Sequence, residues 1–398
     1  MKRIDLGTIP PLGEIPEKML ACTIRKEREG EPAQAMRIEE VDLPDIDPTE
    51  VLVLVMAAGI NYNGIWLAQG KPVSAFRFHQ HPYHIAGSDA SGIVWRVGAM
   101  VHRWKVGDEV VIHCNQACGE CPECNGFDPM ACSEQKIWGY ETSFGAFAQF
   151  TKVQSQQLLR RPQHLTWEQS ASYGLTYFTA YRMLISQAEM KAGHLVLVWG
   201  AAGGLGIFAL QLCNLVGADV IAVVSSAEKA AMVHKMGAKF VLNRQGFELM
   251  PYSANQEPRR LQEIKRFGKE VRHLTGGRDP DIVFEHVGKE TFATSVFVAK
   301  RFGKIVICGA TTGYDLDFDA RYLWMRQKTI IGSHFANAYQ ATAANELLLQ
   351  QKIYPVLDHV FAFEDIPLAH QIMRENRHKG KMAARVQAPP APAQRSSD

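Results

Sequence analysis

The chain has 398 residues, 46% hydrophobic and 21% charged, with a formal net charge of +2. That length exceeds what one core normally serves and predicts two domains. So balanced a charge gives no basis for a nucleic acid or an anionic membrane as partner. The N-terminal MKRIDLGTIPPLGEIPEKM places charges and prolines where a signal peptide needs an apolar run. The uncharged stretch Leu195–Ala218 is long enough to suggest a membrane span. Gly200, Gly203, Gly204 and Gly206 interrupt it, however, and it reads better as a strand, a tight turn and a helix. A cytoplasmic protein is expected. Its eight cysteines then point to metal, catalysis or packing rather than disulfides.

In chain order, residues 36–56 alternate in short apolar and polar runs (MRIEEVDLP, then EVLVLVMAAGI) and predict antiparallel strands. SGIVWRVG, DEVVIHC and AFAQFTKV continue the pattern to about residue 160, giving an all-β, barrel-like first part. The rhythm then changes. LVLVW at 195–199 leads through glycines into a helix, DVIAVV at 219–224 into the helical AEKAAMVHKMG, and KFVLN, DIVFEHV, KIVICGA and TIIGSHF supply later strands. Repeated β-α-β units predict a parallel, doubly wound sheet. From about residue 340 one more helix and strand return to the first part, and the tail APPAPAQRSSD reads as disordered.

Ala201-Ala202-Gly203-Gly204-Leu205-Gly206 fits A-x-G-x-x-G between an apolar strand and a helix. Glycines there let backbone N–H groups approach a pyrophosphate at the helix N-terminus. Alone the motif could be only a tight turn; in this context it predicts a dinucleotide site. The next strand ends in Val223-Val224-Ser225-Ser226, where an NAD site would place an acid for the ribose 2′-hydroxyl. With no acid there, and with Lys229 and Arg244 following, a 2′-phosphate and hence NADPH is favoured. Lys229 by itself would pass for an ordinary surface lysine.

Cys118, Cys121, Cys124 and Cys132 form C-x2-C-x2-C-x7-C, short enough for four thiolates to close a tetrahedral structural zinc site within one loop. Free thiols are the alternative. The lobe resembles the structural-zinc lobe of medium-chain alcohol dehydrogenases, but the catalytic-zinc ligands of those enzymes have no counterpart. Where they carry a Cys and a His, this chain has Asn61 and Ser88. Without that Lewis acid, alcohol oxidation is not expected. Hydride transfer to an activated C=C remains feasible, because a thioester carbonyl can take up charge as an enolate.

LVLVMAAGINYNGIW, HPYHIAGSDASGIVWRVG, CNGFDPM, IWGYETSFGAFAQF, VWGAAGGLGIF, DIVFEHVG, FDARYLWMRQK and IGSHFANAYQA together resemble the crotonyl-CoA carboxylase/reductase family over residues 10–386. The resemblance implies an α/β protein with a GroES-like β-barrel-type catalytic domain (1–168, completed by 340–388) and a Rossmann NADPH-binding domain (169–339), before a tail at 389–398. It implies NADPH-dependent reduction of an enoyl-CoA, with the enolate captured by CO2 to give an alkylmalonyl-CoA. The CO2 residues it implies fall on Asn61 or Asn63, Tyr140-Glu141 and His334. An amide and an imidazole can hold the two weak acceptor oxygens of CO2, while a carboxylate fixes the His or a water. Taken singly, each of these residues is as readily structural. Arg321 and Tyr322 would meet CoA. Lys265 and Arg272, in a basic run that is otherwise an ordinary solvated face, would meet its phosphates.

The cysteine lobe departs from the family. So does Tyr173-Gly174-Leu175-Thr176-Tyr177-Phe178, at 174 and 177, which predicts a reshaped acyl pocket and a best substrate other than crotonyl-CoA. The rival readings are a reductase that only protonates the enolate, a quinone reductase, and a non-catalytic NADPH-binding protein. The resemblance implies a homodimer or homotetramer.

Overall fold

Strand Glu50–Ile60 is the axis of the first part: its run VLVLVMAAGI is buried because strands cover it along both edges. It pairs antiparallel with Ala90–Val97, with Phe150–Gln154 and with Lys381–Arg385. Glu109–Ile112 and Leu158–Arg160 extend this seven-stranded sheet on one side and Leu357–Phe361 on the other. A second sheet joins Arg37–Asp42, Lys18–Ile24 and His84–Ile85. Val51, Val53, Val55, Trp95, Phe147 and Phe150 share one core between them. A computed structural model describes residues 3–250 and 257–389; the tail read as disordered lies outside them from 390 on.

The chain divides into two units. The first holds the described residues up to Leu175, Asn337–Leu349 and those from Pro355 on, and the second Thr176–Ala336 and Gln350–Tyr354. The crossover thus falls after Leu175, not after 168. Helix Trp167–Ser170, with its capping box from Thr166 and Gln169, still packs on first-unit strands. Residues 350–354 go to the second unit because Gln211 bonds both the amide and the carbonyl of Tyr354. The C-terminal return brings two helices, Ala338–Leu349 and Ile366–Arg374, and two strands, not one of each. Leu357–Phe361 escapes a reading by pattern because its middle residues are exposed.

The second unit is a six-stranded parallel sheet in the order Phe240–Asn243, Asp219–Val224, Leu195–Val198, Ile282–Glu285, Lys304–Ile307, Thr329–Gly332. Leu195–Val198 is wholly buried, as a strand covered on both faces must be. Each such side chain contributes about 1.5–3 kcal/mol. Winding starts at Leu195–Val198 and reverses to Ile282–Glu285, so the crevice between their C-terminal ends is the topological switch point. Helix Gly204–Val216 ends on Gly217 in the left-handed region at φ 82°. The uncharged run of 195–218 is therefore strand, turn and helix. Among the described residues no helix is long and apolar enough to cross a membrane.

Candidate active site

The glycine turn lies at the switch point. Gly203 is the N-cap of helix Gly204–Val216 and adds no side-chain cap, so the first N–H groups of the helix remain available to an anion. Gly206 packs the helix onto the strand: a Cβ there would lie 2.4 Å from the Gly200 carbonyl oxygen and 2.5 Å from Ala201 Cα. Ala201 is buried and donates its N–H to the Val223 carbonyl, while Leu205 lies in the first helical turn. At the end of the neighbouring strand Ser226 caps helix Ala227–Lys235, accepting from Lys229 N at 3.2 Å. Ser225 lies beside it in the chain. Arg244 lies 3.6 Å from Glu290, a loose pair with both side chains partly exposed.

Sequence reasoning missed a brace beneath this turn. Buried Glu285 accepts from the amides of Val287 (2.7 Å) and Gly288 (3.2 Å), from the Thr291 hydroxyl, and from Ser295 Oγ at 2.6 Å. Trp199 Nε1 donates to that same Ser295 hydroxyl at 2.8 Å. His286 Nε2 donates to the Trp199 carbonyl at 2.9 Å. Burial raises the Glu285 pKa against these donors and lowers that of His286. The string DIVFEHVG carried the signal: an acid and a His in an otherwise apolar strand end.

In the first unit, Asn61 and Asn63 begin helix Tyr62–Ala68 and differ in what they can offer. Asn61 is buried, and both ends of its amide are engaged. Nδ2 donates to Asp89 Oδ2 at 2.8 Å and Oδ1 accepts from Lys381 Nζ. Asn63 is half-buried, and its Nδ2 donates to Ser88 Oγ at 2.9 Å. The Tyr140-Glu141 turn lies against the same segment, since a Cβ on Gly139 would fall 1.9 Å from the Gly87 carbonyl oxygen. Tyr140 OH donates to the Lys71 carbonyl at 2.6 Å, and Glu141 Oε2 accepts from Ile137 N at 2.7 Å. Burial raises the Glu141 pKa, opposed by that amide and by Lys136. The structure thus brings Asn63, Ser88 and the 139–141 turn onto adjoining backbone.

Asn61, Ser88 and Asp89 occupy the segments that would carry a catalytic zinc. The set does not fit one: it offers an amide, a hydroxyl and a carboxylate that already faces the Lys381 ammonium at 3.5 Å.

The cysteine lobe is different. All four Sγ atoms lie within 4.8 Å of one another, with Cys118 3.9 Å from Cys124 and 3.6 Å from Cys132. A tetrahedral zinc with Zn–S of about 2.3 Å sets its sulfurs about 3.8 Å apart. The amides of Glu120 and Cys121 point at Cys118 Sγ, each at 3.4 Å, and hold that thiol down to about 7. The residues fit a structural zinc.

In the second unit His334 follows strand Thr329–Gly332, exposed, with its ring edge-on to Phe335 at 4.5 Å. Desolvation, then the Arg182 charge, lowers its pKa. The basic run forms helix Glu257–Thr275, whose buried face is Arg260, Ile264, Phe267, Gly268, Val271 and Thr275. Most of its cations have local partners. Arg272 is bidentate on Asp279 at 2.7 and 2.8 Å, Arg259 pairs with Glu248, and Arg266 with Glu263. Lys265 is exposed, with no ion pair among the described residues. Arg321 is clamped by Asp319 at 2.7 Å, and the Tyr322 ring meets Phe297 edge-on at 4.9 Å. Tyr177 is fully buried against Phe208 with ring centroids 5.1 Å apart.

Residues 47–163 match the family model of the alcohol dehydrogenase GroES-like domain, and 204–350 that of the zinc-binding dehydrogenases. With the Rossmann strand order and the glycine turn, these define an oxidoreductase of the medium-chain dehydrogenase/reductase superfamily. A crotonyl-CoA carboxylase/reductase of Cereibacter sphaeroides is 55% identical over 393 residues, 97% of this chain and 91% of that protein. The solved structure of a crotonyl-CoA carboxylase/reductase matches with a TM-score of 0.92 at 52% identity, covering 98% of this chain and 93% of that one. A 2-octenoyl-CoA carboxylase reductase in complex with NADP and 2-octenoyl-CoA matches with a TM-score of 0.91 at 40% identity, over 95% and 90% of the two chains. The chain belongs to the crotonyl-CoA carboxylase/reductase family.

Proposed function

We propose that this chain catalyses its family's reaction, the NADPH-dependent reductive carboxylation of an α,β-unsaturated acyl-CoA to an alkylmalonyl-CoA. In that balance hydride adds to the β-carbon and the C=C electron pair moves into the enolate. The α-carbon then bonds to CO2, one C=O pair of which becomes the carboxylate, leaving NADP+. The glycine turn and Ser225, Ser226, Lys229 and Arg244 bind the dinucleotide and its 2′-phosphate.

The observation that carries the assignment within the first unit is the contrast between the two asparagines. Asn61 has both ends of its amide bound internally, whereas Asn63 has given one N–H to Ser88 and keeps a second for a CO2 oxygen. Glu141, tied by Ile137 N, orients the turn beside it, and excluding water there protects the enolate from a proton. His334 of the second unit offers an imidazole that can donate or accept. Lys265, and Arg272 and Arg321 once their carboxylate partners yield, meet the CoA phosphates, with Tyr322 beside its adenine. The four thiolates hold a structural zinc.

The exposed edge strand Thr329–Gly332, flanked by exposed Trp324 and Met325, supports assembly as a homodimer or homotetramer, and a cytoplasmic location goes with this reading. The test is NADPH oxidation with crotonyl-CoA and longer enoyl-CoAs, with and without saturating bicarbonate plus carbonic anhydrase, and products identified by mass. A dominant alkylmalonyl-CoA that gives way to saturated acyl-CoA in Asn63→Ala supports the reading. Saturated acyl-CoA alone from the wild type under abundant CO2 makes this a plain reductase.

A further inference from the structure

Asn61 is at the N-cap of helix Tyr62–Ala68, with extended backbone at φ −136° and ψ 155°, yet its side chain makes no capping bond. Asparagine at this position normally accepts from the N2 or N3 amide. Here the side chain turns away and is read from both ends. The Asp89 carboxylate can only accept, so it selects the NH2 end at 2.8 Å; the Lys381 ammonium can only donate, so it selects the oxygen. The same ammonium donates to the Ile60 carbonyl at 3.3 Å and faces Asp89 Oδ2 at 3.5 Å. Asp89 Oδ1 takes the Leu175 amide at 2.6 Å. Lys381 and Asp89 are each 1% exposed.

A buried ion pair is a poor device for stability, because desolvation offsets most of the attraction; apolar residues of similar size hold a fold as well. What it does supply is direction. The helix it controls is confined from another side, since a Cβ on Gly64 would sit 2.3 Å from His370 Nε2. Asn63, two residues on, is anchored to Ser88, the chain neighbour of Asp89. One short segment therefore sets both asparagines.

We propose that Lys381 and Asp89 are positioning residues for carboxylation: by locking the Asn61 amide they fix the first turn of this helix, and with it Asn63, and so bias the enolate towards CO2 over a proton. The inference rests on the reading of Asn63 above. Removing Lys381 alone leaves a buried carboxylate unpaired and threatens folding, so the informative variant neutralises both partners.

The experiment compares wild type, Asp89→Asn/Lys381→Met, Lys381→Arg and Asn63→Ala as full-length protein with crotonyl-CoA, NADPH and saturating CO2. It reads the ratio of ethylmalonyl-CoA to butyryl-CoA, the KM for CO2, and the rate of NADPH oxidation separately. A folded double variant that still oxidises NADPH, with its carboxylated fraction down about 10–100-fold and its KM for CO2 raised, supports the proposal. Substantial recovery of the ratio in Lys381→Arg strengthens it. A double variant that melts like wild type and keeps the wild-type ratio, while Asn63→Ala loses it, overturns the pair's role and leaves Asn63 standing. An unchanged ratio in Asn63→Ala with a lowered one in the double variant refutes the Asn63 reading instead, and places the pair's effect at Asn61 itself.

Discussion

Three histidines in FRFHQHPYH form a one-way hydrogen-bond chain whose protonation should cost the fold stability. His79 and His84 stack with centroids 5.2 Å apart and an interplanar angle of 15°, and His79 Nε2 is 2.9 Å from His84 Nδ1. His84 Nε2 lies 3.3 Å from the Gly139 carbonyl, which can only accept, so that nitrogen carries the hydrogen. His84 Nδ1 is then the acceptor and His79 Nε2 the donor, while His79 Nδ1 accepts from His81 N at 3.2 Å. Every role is filled with both rings neutral, and a proton on His84 Nδ1 would set two N–H groups against each other.

Burial pushes His84 down to about 3, and burial with the nearby His81 pushes His79 down to about 4. Both lie below the unfolded value of about 6.5, so the unfolded chain binds more protons between these limits. The stability is therefore complete above about pH 6.5 and is lost as the pH falls. For buried His84 alone, the 1.5 pH units from 6.5 to 5 amount to about 2 kcal/mol. Half-buried His79 adds less, because solvent screens it. In a unit of this size that is a melting shift of about 4–8 °C. Calorimetry at pH 7 and pH 5 on wild type and His84→Asn isolates the term, since the other titrating groups are common to both. The variant should melt lower at pH 7 but lose less on acidification. Parallel losses in the two proteins would refute the reasoning.

The remaining predictions concern the glycine turn and the cysteine lobe. In Gly206→Ala the new Cβ meets backbone only, so helix and strand must part; overpacking of about 1–3 kcal/mol and a loss of NADPH affinity of about tenfold or more are expected. Fluorescence titration with NADPH beside a thermal melt checks both, and unchanged binding would refute the close-approach argument. The lobe should carry one zinc per chain by elemental analysis, and Cys118→Ser or a strong chelator should lower the melting temperature, with activity falling only as the protein unfolds. Four freely titrating thiols in metal-free, undiminished enzyme would count against the site.

What could be read in advance divides along a physical line. The strand–helix rhythm of the second unit, the glycine turn and the four-cysteine lobe are written in residues close in sequence: Leu195–Val198 runs straight into its turn, and the cysteines span 118 to 132. Local spacing carries such features, and the family strings carried the chemistry. The histidine chain ending on Gly139 and the clamp on Asn61 depend on partners tens to hundreds of residues away, as does the Trp199 arm of the Glu285 brace, although that carboxylate's own donors are local. Lys381 shows why. In KMAAR it is a lysine at the start of a short strand, as an exposed edge lysine would be, and only the pairing of Met382 with Ile60 brings its ammonium to Asn61. Asn61 is legible as a candidate residue but not by what holds it, and the N-cap position it takes in the structure would by itself explain an asparagine. The missing capping bond separates the two explanations. An asparagine that forgoes its local partner for a buried carboxylate and a buried ammonium is held for its direction rather than for the helix it begins.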